Sequence, residues 1–342
     1  MRRIAALLSV PLLATLALAG CGSATSSSSP SVSVKGQFGS DPTVSIPTQT
    51  AGKALAVKTL IKGTGPALTK TDAFVGNYAV YIWSGKTHKL AESTFQTKSP
   101  ALFSGQLLPG LESALQGKKM GSRVLAVIPP AQGYGKSGNS QAGVTASDTL
   151  VFVVDMIKAF PNNASASGSN VSSGGGSLPS VAAKPGAAPT ITIPTSKKAP
   201  TALVTKTLVK GTGPTVTKGQ TVVTQYVGEI WRTSKVFDSS WSRGEPFGFT
   251  IGATPSQVIT GWDKGLIGQT VGSRVMLVVP PGDGYGKTGS SQAGIKGTDT
   301  LVFVVDILGA VSPASSAAAR SPRCGSARLI RGNATTACPT TA

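Results

Sequence analysis

The chain repeats itself, and the repeat limits what it can fold into more than any other feature. "VKTLIKGTGPALTK" at 57–70 returns as "TKTLVKGTGPTVTK" at 205–218, and "GSRVLAVIPPAQGYGKSGNSQAG" at 121–143 returns as "GSRVMLVVPPGDGYGKTGSSQAG" at 272–294. "SDTLVFVVDMI" at 147–157 is echoed by "TDTLVFVVDIL" at 298–308. A period of about 150 residues is far longer than the unit of a solenoid, so the repeat is a duplicated domain. Between the copies runs "NNASASGSNVSSGGGSLPSVAAKPGAAPT", whose Gly, Ser, Ala and Pro content reads as a linker without a core of its own. The expected boundaries are 53–160 for the first domain, 161–200 for the linker and 201–310 for the second domain.

The ends of the chain read differently. "MRRIAALLSVPLLATLALAGC" starts with two arginines, continues as a short apolar run and reaches small residues before Cys21. This is the pattern of a signal peptide over 1–20, too short for a spanning helix. "LAGC" at 18–21 further resembles a bacterial lipobox, which would make Cys21 a lipid anchor, with 21–52 as a flexible tether. Two acyl chains suffice for stable anchoring where one is marginal. The expected location is therefore extracytoplasmic, on the bacterial cell membrane. Residues 311–342 read as a disordered basic tail holding Cys324 and Cys338, and a disulfide there would brace neither core.

The net charge of +19 is diffuse. No basic stripe with interleaved aromatics occurs, which argues against a nucleic-acid partner.

Within each copy the apolar runs are short and rich in Val, Ile and Thr. "TVVTQYVGEIW", "SRVMLVVPP" and "DTLVFVVDIL" read as strands closed by Gly, Pro and Asp. One short helix is expected per copy, in "PGLESALQGK" and "TGWDKGLIGQ". The fold class that follows is α+β, each domain an antiparallel sheet curled over one short helix.

Common catalytic sets are missing. His88 is the single histidine and lies in a polar stretch read as a solvated loop, so histidine triads and multi-histidine metal sites are excluded. "GDGYGKT" at 282–288 has Pro281 where a phosphate loop needs glycine. No cofactor or metal is expected. What stands out is the aromatic density of the second copy, of which Trp231 and Phe249 are read as core. Trp262 is different, because it sits beside turn residues at the start of the helix, where packing alone would favour Leu or Ile.

Taken together, "YVGEI…KVFDSSW…EPFGFTIG…QVITGWDKGLIGQTVGSRVMLVVPPGDGYG…DTLVFVVDIL" resembles the FKBP-type peptidyl-prolyl cis-trans isomerases over nearly all of 205–308. The resemblance implies two FKBP-like domains and a prolyl pocket in the second. Trp262 would form its floor and Tyr226, Phe237, Phe247, Val258, Ile259, Ile295 and Phe303 its walls. Asp238 and the Tyr285 hydroxyl would supply polar contacts, and the Ile259 N–H would meet the substrate. It also implies proline-containing unfolded or exported polypeptides as partners and macrolides of the FK506 and rapamycin type as ligands.

The first copy departs from this pattern. Tyr78, Tyr134 and Phe152 match Tyr226, Tyr285 and Phe303, but Ala91, Glu92, Ala101 and Leu111 replace Phe237, Asp238, Phe247 and Trp262. Each Phe-to-Ala exchange removes on the order of 150–250 Å² of apolar wall. The first domain is thus expected to keep the fold with an eroded site, and the second to be the isomerase. The rival expectation is a chaperone-like binding lipoprotein without useful turnover.

Overall fold

The computed structural model describes residues 31–194 and 196–313. The signal sequence, Cys21 and the tail cysteines lie outside the described residues. Among the described residues no helix is long and apolar enough to cross a membrane.

The first domain contains β1 (Ser33–Lys35), β2 (Thr43–Ser45), β3 (Ala56–Ile61), β4 (Ala73–Ser84), β5 (Thr87–Ser93), α1 (Thr94–Thr97), β6 (Ala101–Phe103), α2 (Pro109–Leu115), β7 (Arg123–Ile128) and β8 (Thr149–Phe160). Its main sheet has the order β3-β7-β8-β4-β5, with β6 pairing the other end of β4, and every pair is antiparallel. His88 lies on β5 opposite Trp83, exposed, on a strand where a loop was expected.

The second domain repeats the plan. After β9 (Ser169–Asn170) come β10 (Ser180–Ala182), β11 (Thr190–Thr192), β12 (Val204–Lys210), β13 (Thr221–Ile230), β14 (Lys235–Ser239), α3 (Ser240–Arg243), β15 (Phe247–Thr250), α4 (Thr260–Leu266), β16 (Arg274–Val279) and β17 (Leu301–Val311). The sheet order is β14-β13-β17-β16-β12-β9, with β15 on β13. The fold is α+β, as the strand and helix patterns led us to expect.

The helix lies on one face of each sheet because its sequence lets it come close. Cβ atoms built on Gly261 and Gly265 would fall 2.7 Å from Val279 and 2.5 Å from Leu277 of β16. Two absent methyl groups one turn apart seat α4 flat on the strand, and this seat carries Trp262.

The opposite face requires a correction. The tether expected over 21–52 and the linker expected over 161–200 contain ordered hairpins, β1–β2 and β10–β11. Each hairpin covers the second face of the sheet that follows it. Ile46, Val34 and Val44 pack on Trp83, Leu125, Val151 and Val153. Ile191, Ile193 and Val181 pack on Trp231, Met276, Val278 and Val302. The tryptophans act as matching clasps: Trp83 Nε1 donates to the Gln49 carbonyl at 3.0 Å, and Trp231 Nε1 to the Lys197 carbonyl at 3.3 Å. Alternating apolar residues, sparse as they are, suffice because the sheet face beneath them is already apolar. The repeating unit therefore includes its leading hairpin, "PTVSIPT" in one copy and "PTITIPT" in the other.

Buried ion pairs tie the first of these layers together. Arg123 forks onto Asp155 at 2.6 and 2.8 Å and also donates to the Ser40 carbonyl at 2.7 Å, while Asp155 accepts from the Gly39 N–H at 2.6 Å. The counterpart Arg274–Asp306 pair, at 2.6 Å for both bonds, accepts from the Ala166 N–H at 3.0 Å. A buried pair of this kind is tolerated better the more of its remaining hydrogen-bonding positions are filled, and the leading segments supply Ser40, Gly39 and Ala166, leaving Arg123 Nη1 without a partner among the described residues.

The two domains touch. Val75 and Phe160 of the first pack with Val223 and Leu308 of the second. Thr221 Oγ1 donates to the Pro100 carbonyl at 2.7 Å, and Gln225 Nε2 to the Asn162 carbonyl at 2.7 Å.

Candidate active site

The second domain holds a cavity of about 390 Å³ between α4, β13, β14, β15 and β17. Trp262 is its floor and is 3% exposed. Four rings stand edge-on around the indole. Tyr226 is at 5.1 Å and 86°, Phe303 at 5.4 Å and 90°, Phe249 at 5.5 Å and 65°, and Phe247 at 6.2 Å and 81°. Phe237 closes one side by standing edge-on to Phe303 at 5.6 Å. Such edge-to-face pairs contribute beyond their buried area and fix each ring by the next. Gly228 makes room for this wall, because a Cβ there would lie 2.9 Å from both Phe237 and Phe303.

One wall is polar. The Tyr226 hydroxyl donates to Asp238 Oδ2, and Arg243 pairs with Asp238 Oδ1. Arg243 Nη2 also donates to the Tyr226 oxygen at 2.9 Å, so the three side chains form a closed ring of contacts. Burial, followed by the hydrogen bond to Asp238, pushes the Tyr226 phenol up to about 12. Burial and then the Asp238 charge also raise Tyr285, which makes no side-chain hydrogen bond among the described residues. Both hydroxyls therefore stay protonated across the physiological range. The Ile259 N–H, just ahead of α4, also has no acceptor among the described residues.

The structure brings Tyr226, Phe237, Asp238, Phe247, Val258, Ile259, Trp262, Tyr285 and Phe303 together around this cavity. Ile295 needs correction: it does not line the cavity but is buried in the core cluster that also holds Tyr226, Trp262 and Phe303, bridged to Ser290. Phe249 belongs to the core, as expected, but lies directly under Trp262. Sequence reasoning missed Arg243 and Gln257. Arg243 could have been suspected, since "FDSSWSR" places one short turn between the aspartate and an arginine.

A family model described as FKBP-type peptidyl-prolyl cis-trans isomerase matches residues 66–157 and 213–308. The chain belongs to this family. FKBP relatives include an FK506-binding protein of Streptomyces anulatus, 42% identical over 109 residues, or 32% of this chain and 86% of that protein. FK506-binding protein 2B of Rhizopus delemar is 48% identical over 90 residues, 26% of this chain and 42% of its own length. A probable FK506-binding protein of Corynebacterium glutamicum is 38% identical over 112 residues, 33% of this chain and 90% of its own.

The first FKBP domain has its own cavity at the equivalent place. Its volume is about 760 Å³, nearly twice that in the second domain. Ala91, Ala101 and Leu111 line it where Phe237, Phe247 and Trp262 stand in the other copy. Phe103 lines this cavity, stacked on Phe74 at 4.5 Å and edge-on to Tyr78 at 5.5 Å, and the space is still the larger of the two.

Proposed function

We propose that the second domain isomerises X–Pro bonds by desolvation, without covalent chemistry, and that its substrates are exported polypeptides. The observation that carries this reading is the box of aromatic rings around Trp262 beside an aspartate already paired with Tyr226 and Arg243. An unpaired carboxylate would draw water into the pocket; a paired one leaves it dry.

Rotation about a peptide bond faces a barrier of about 18–20 kcal/mol. In the twisted state the amide loses resonance, and its carbonyl oxygen carries less charge. A dry aromatic pocket therefore disfavours the planar amide more than the twisted one. Each 1.4 kcal/mol or so of that difference is tenfold in rate. The prolyl ring would rest on Trp262. The Ile259 N–H and the Tyr285 hydroxyl would hold the flanking carbonyls, which fixes the chain on both sides of the rotating bond. X–Pro bonds are suited to this chemistry because they populate both isomers and interconvert slowly. Macrolides of the FK506 type are the expected competitive ligands.

The signal-like 1–20 segment and the lipobox-like cysteine support an extracytoplasmic enzyme tethered through Cys21. The test is exchange NMR on a short X–Pro peptide, comparing the full chain with Trp262→Leu. Loss of exchange in the variant supports the reading; unchanged exchange would move the activity away from this pocket. Mass spectrometry of the membrane-fraction protein tests lipidation at Cys21.

A further inference from the structure

The first domain's enlarged cavity differs from the second in charge as well as in size. Glu92 is its only charged lining residue. The position equivalent to Arg243 is Thr97, so the clamp that neutralises Asp238 has no counterpart. Glu92 has no ion-pair partner among the described residues. Lys89 on the same strand is directed elsewhere: its ammonium lies beside Gly143, and its charge acts on Asp148. Burial, followed by the neighbouring Glu92 carboxylate, raises the pKa of Tyr78. Tyr78, Tyr134 and Phe152 line the same cavity. A carboxylate beside aromatic faces is a cation site, since ring quadrupole and anion attract the same charge. The space opened by Ala91, Ala101 and Leu111 is apolar and falls within the range of built ligand pockets.

We infer that the first domain binds extended polypeptide segments in which a bulky apolar side chain adjoins Lys or Arg, without requiring proline. The apolar side chain enters the space vacated by the missing rings, and the basic group settles against Glu92 and the tyrosines. That the occupant is a polypeptide rests on reading the second domain's pocket as a chain-binding site; the preference for a cation rests on Glu92. The chain then carries two unlike sites, a small neutralised one for turnover and a large anionic one for capture.

The test uses the full chain and two proline-free dansyl peptides, Gly-Leu-Phe-Arg-Gly and Gly-Leu-Phe-Glu-Gly, read by fluorescence anisotropy at low salt. The arginine peptide is expected to bind about tenfold more tightly than the glutamate peptide. Rising ionic strength should shrink that gap. Glu92→Gln should bring the two within about twofold, and Leu111→Trp should weaken both by filling the cavity. Trp262→Leu should change neither. Should Leu111→Trp fail to fold, Ala101→Phe fills the same space from the half-exposed β6 strand. Equal affinities, a preference that survives Glu92→Gln, or binding lost in Trp262→Leu would each overturn the inference. A chain that isomerises X–Pro peptides yet binds neither dansyl peptide overturns this inference alone. A chain that prefers the arginine peptide yet shows no isomerisation overturns the proposed function alone.

Discussion

Arg243 grips Asp238 and the Tyr226 hydroxyl together, so the aspartate in the pocket wall is a neutralised group and not a free anion. Its first-domain counterpart, Glu92, has no such partner among the described residues. The same scaffold therefore presents two different electrostatic faces.

Removing the grip should separate activity from stability. The Arg243 and Asp238 side chains are 41% and 39% exposed, so their pairing contributes at most about 1 kcal/mol. Arg243→Ala should leave the melting temperature nearly unchanged yet lower X–Pro exchange several-fold, because the freed carboxylate hydrates the pocket. Arg243→Lys should restore only part of the activity, since an ammonium cannot fork onto both partners. Exchange NMR and calorimetry on the same samples check both halves.

Trp262→Leu should be costly in both respects. The indole is buried amid four rings, and the smaller side chain leaves a cavity costing roughly 2–3 kcal/mol. Chemical denaturation should show that loss in the second domain, together with loss of X–Pro exchange.

Glu229 makes stability depend on pH. It is 6% exposed, with Oε2 lacking a partner, and burial pushes its carboxyl up to about 7 from an ordinary 4.5. Between those values the folded state keeps a proton that the unfolded state has released. Stability contributed by this group is therefore full below about 4.5 and falls as pH rises to about 7. Glu229→Gln should flatten that fall, raising stability by roughly 1–3 kcal/mol at pH 8 and little at pH 4. Urea unfolding at the two pH values decides it.

The leading hairpins should behave as parts of their domains. Limited proteolysis should spare 180–192, which a free linker would not survive. Asp155→Asn leaves Arg123 buried without its counter-charge and weakens the anchor of Gly39. It should cost about 3–5 kcal/mol and release the 31–52 segment to protease.

Much of the architecture could be read directly. Strand patterns at 221–231 and 299–308 and the short helical stretch around Trp262 pointed to a sheet over a helix, because period and punctuation are local properties. One readable signal went unused. "TLVFVVDIL" is apolar without alternation, the mark of a strand buried on both faces, which requires a second covering layer. The hairpins that supply this layer are Gly-, Ser- and Pro-rich, and composition alone reads such segments as linkers.

The sequence by itself determined the duplication, the α+β class, the family, and which copy kept the aromatic residues. These depend on residue identity and spacing along the chain. Only the tertiary structure decided that Ile295 is buried in the core and does not line the cavity, that Arg243 closes the Asp238 wall, and that the first domain's missing rings leave open space. Each of these depends on distances between residues far apart in the chain, and on whether neighbours move when a side chain shrinks.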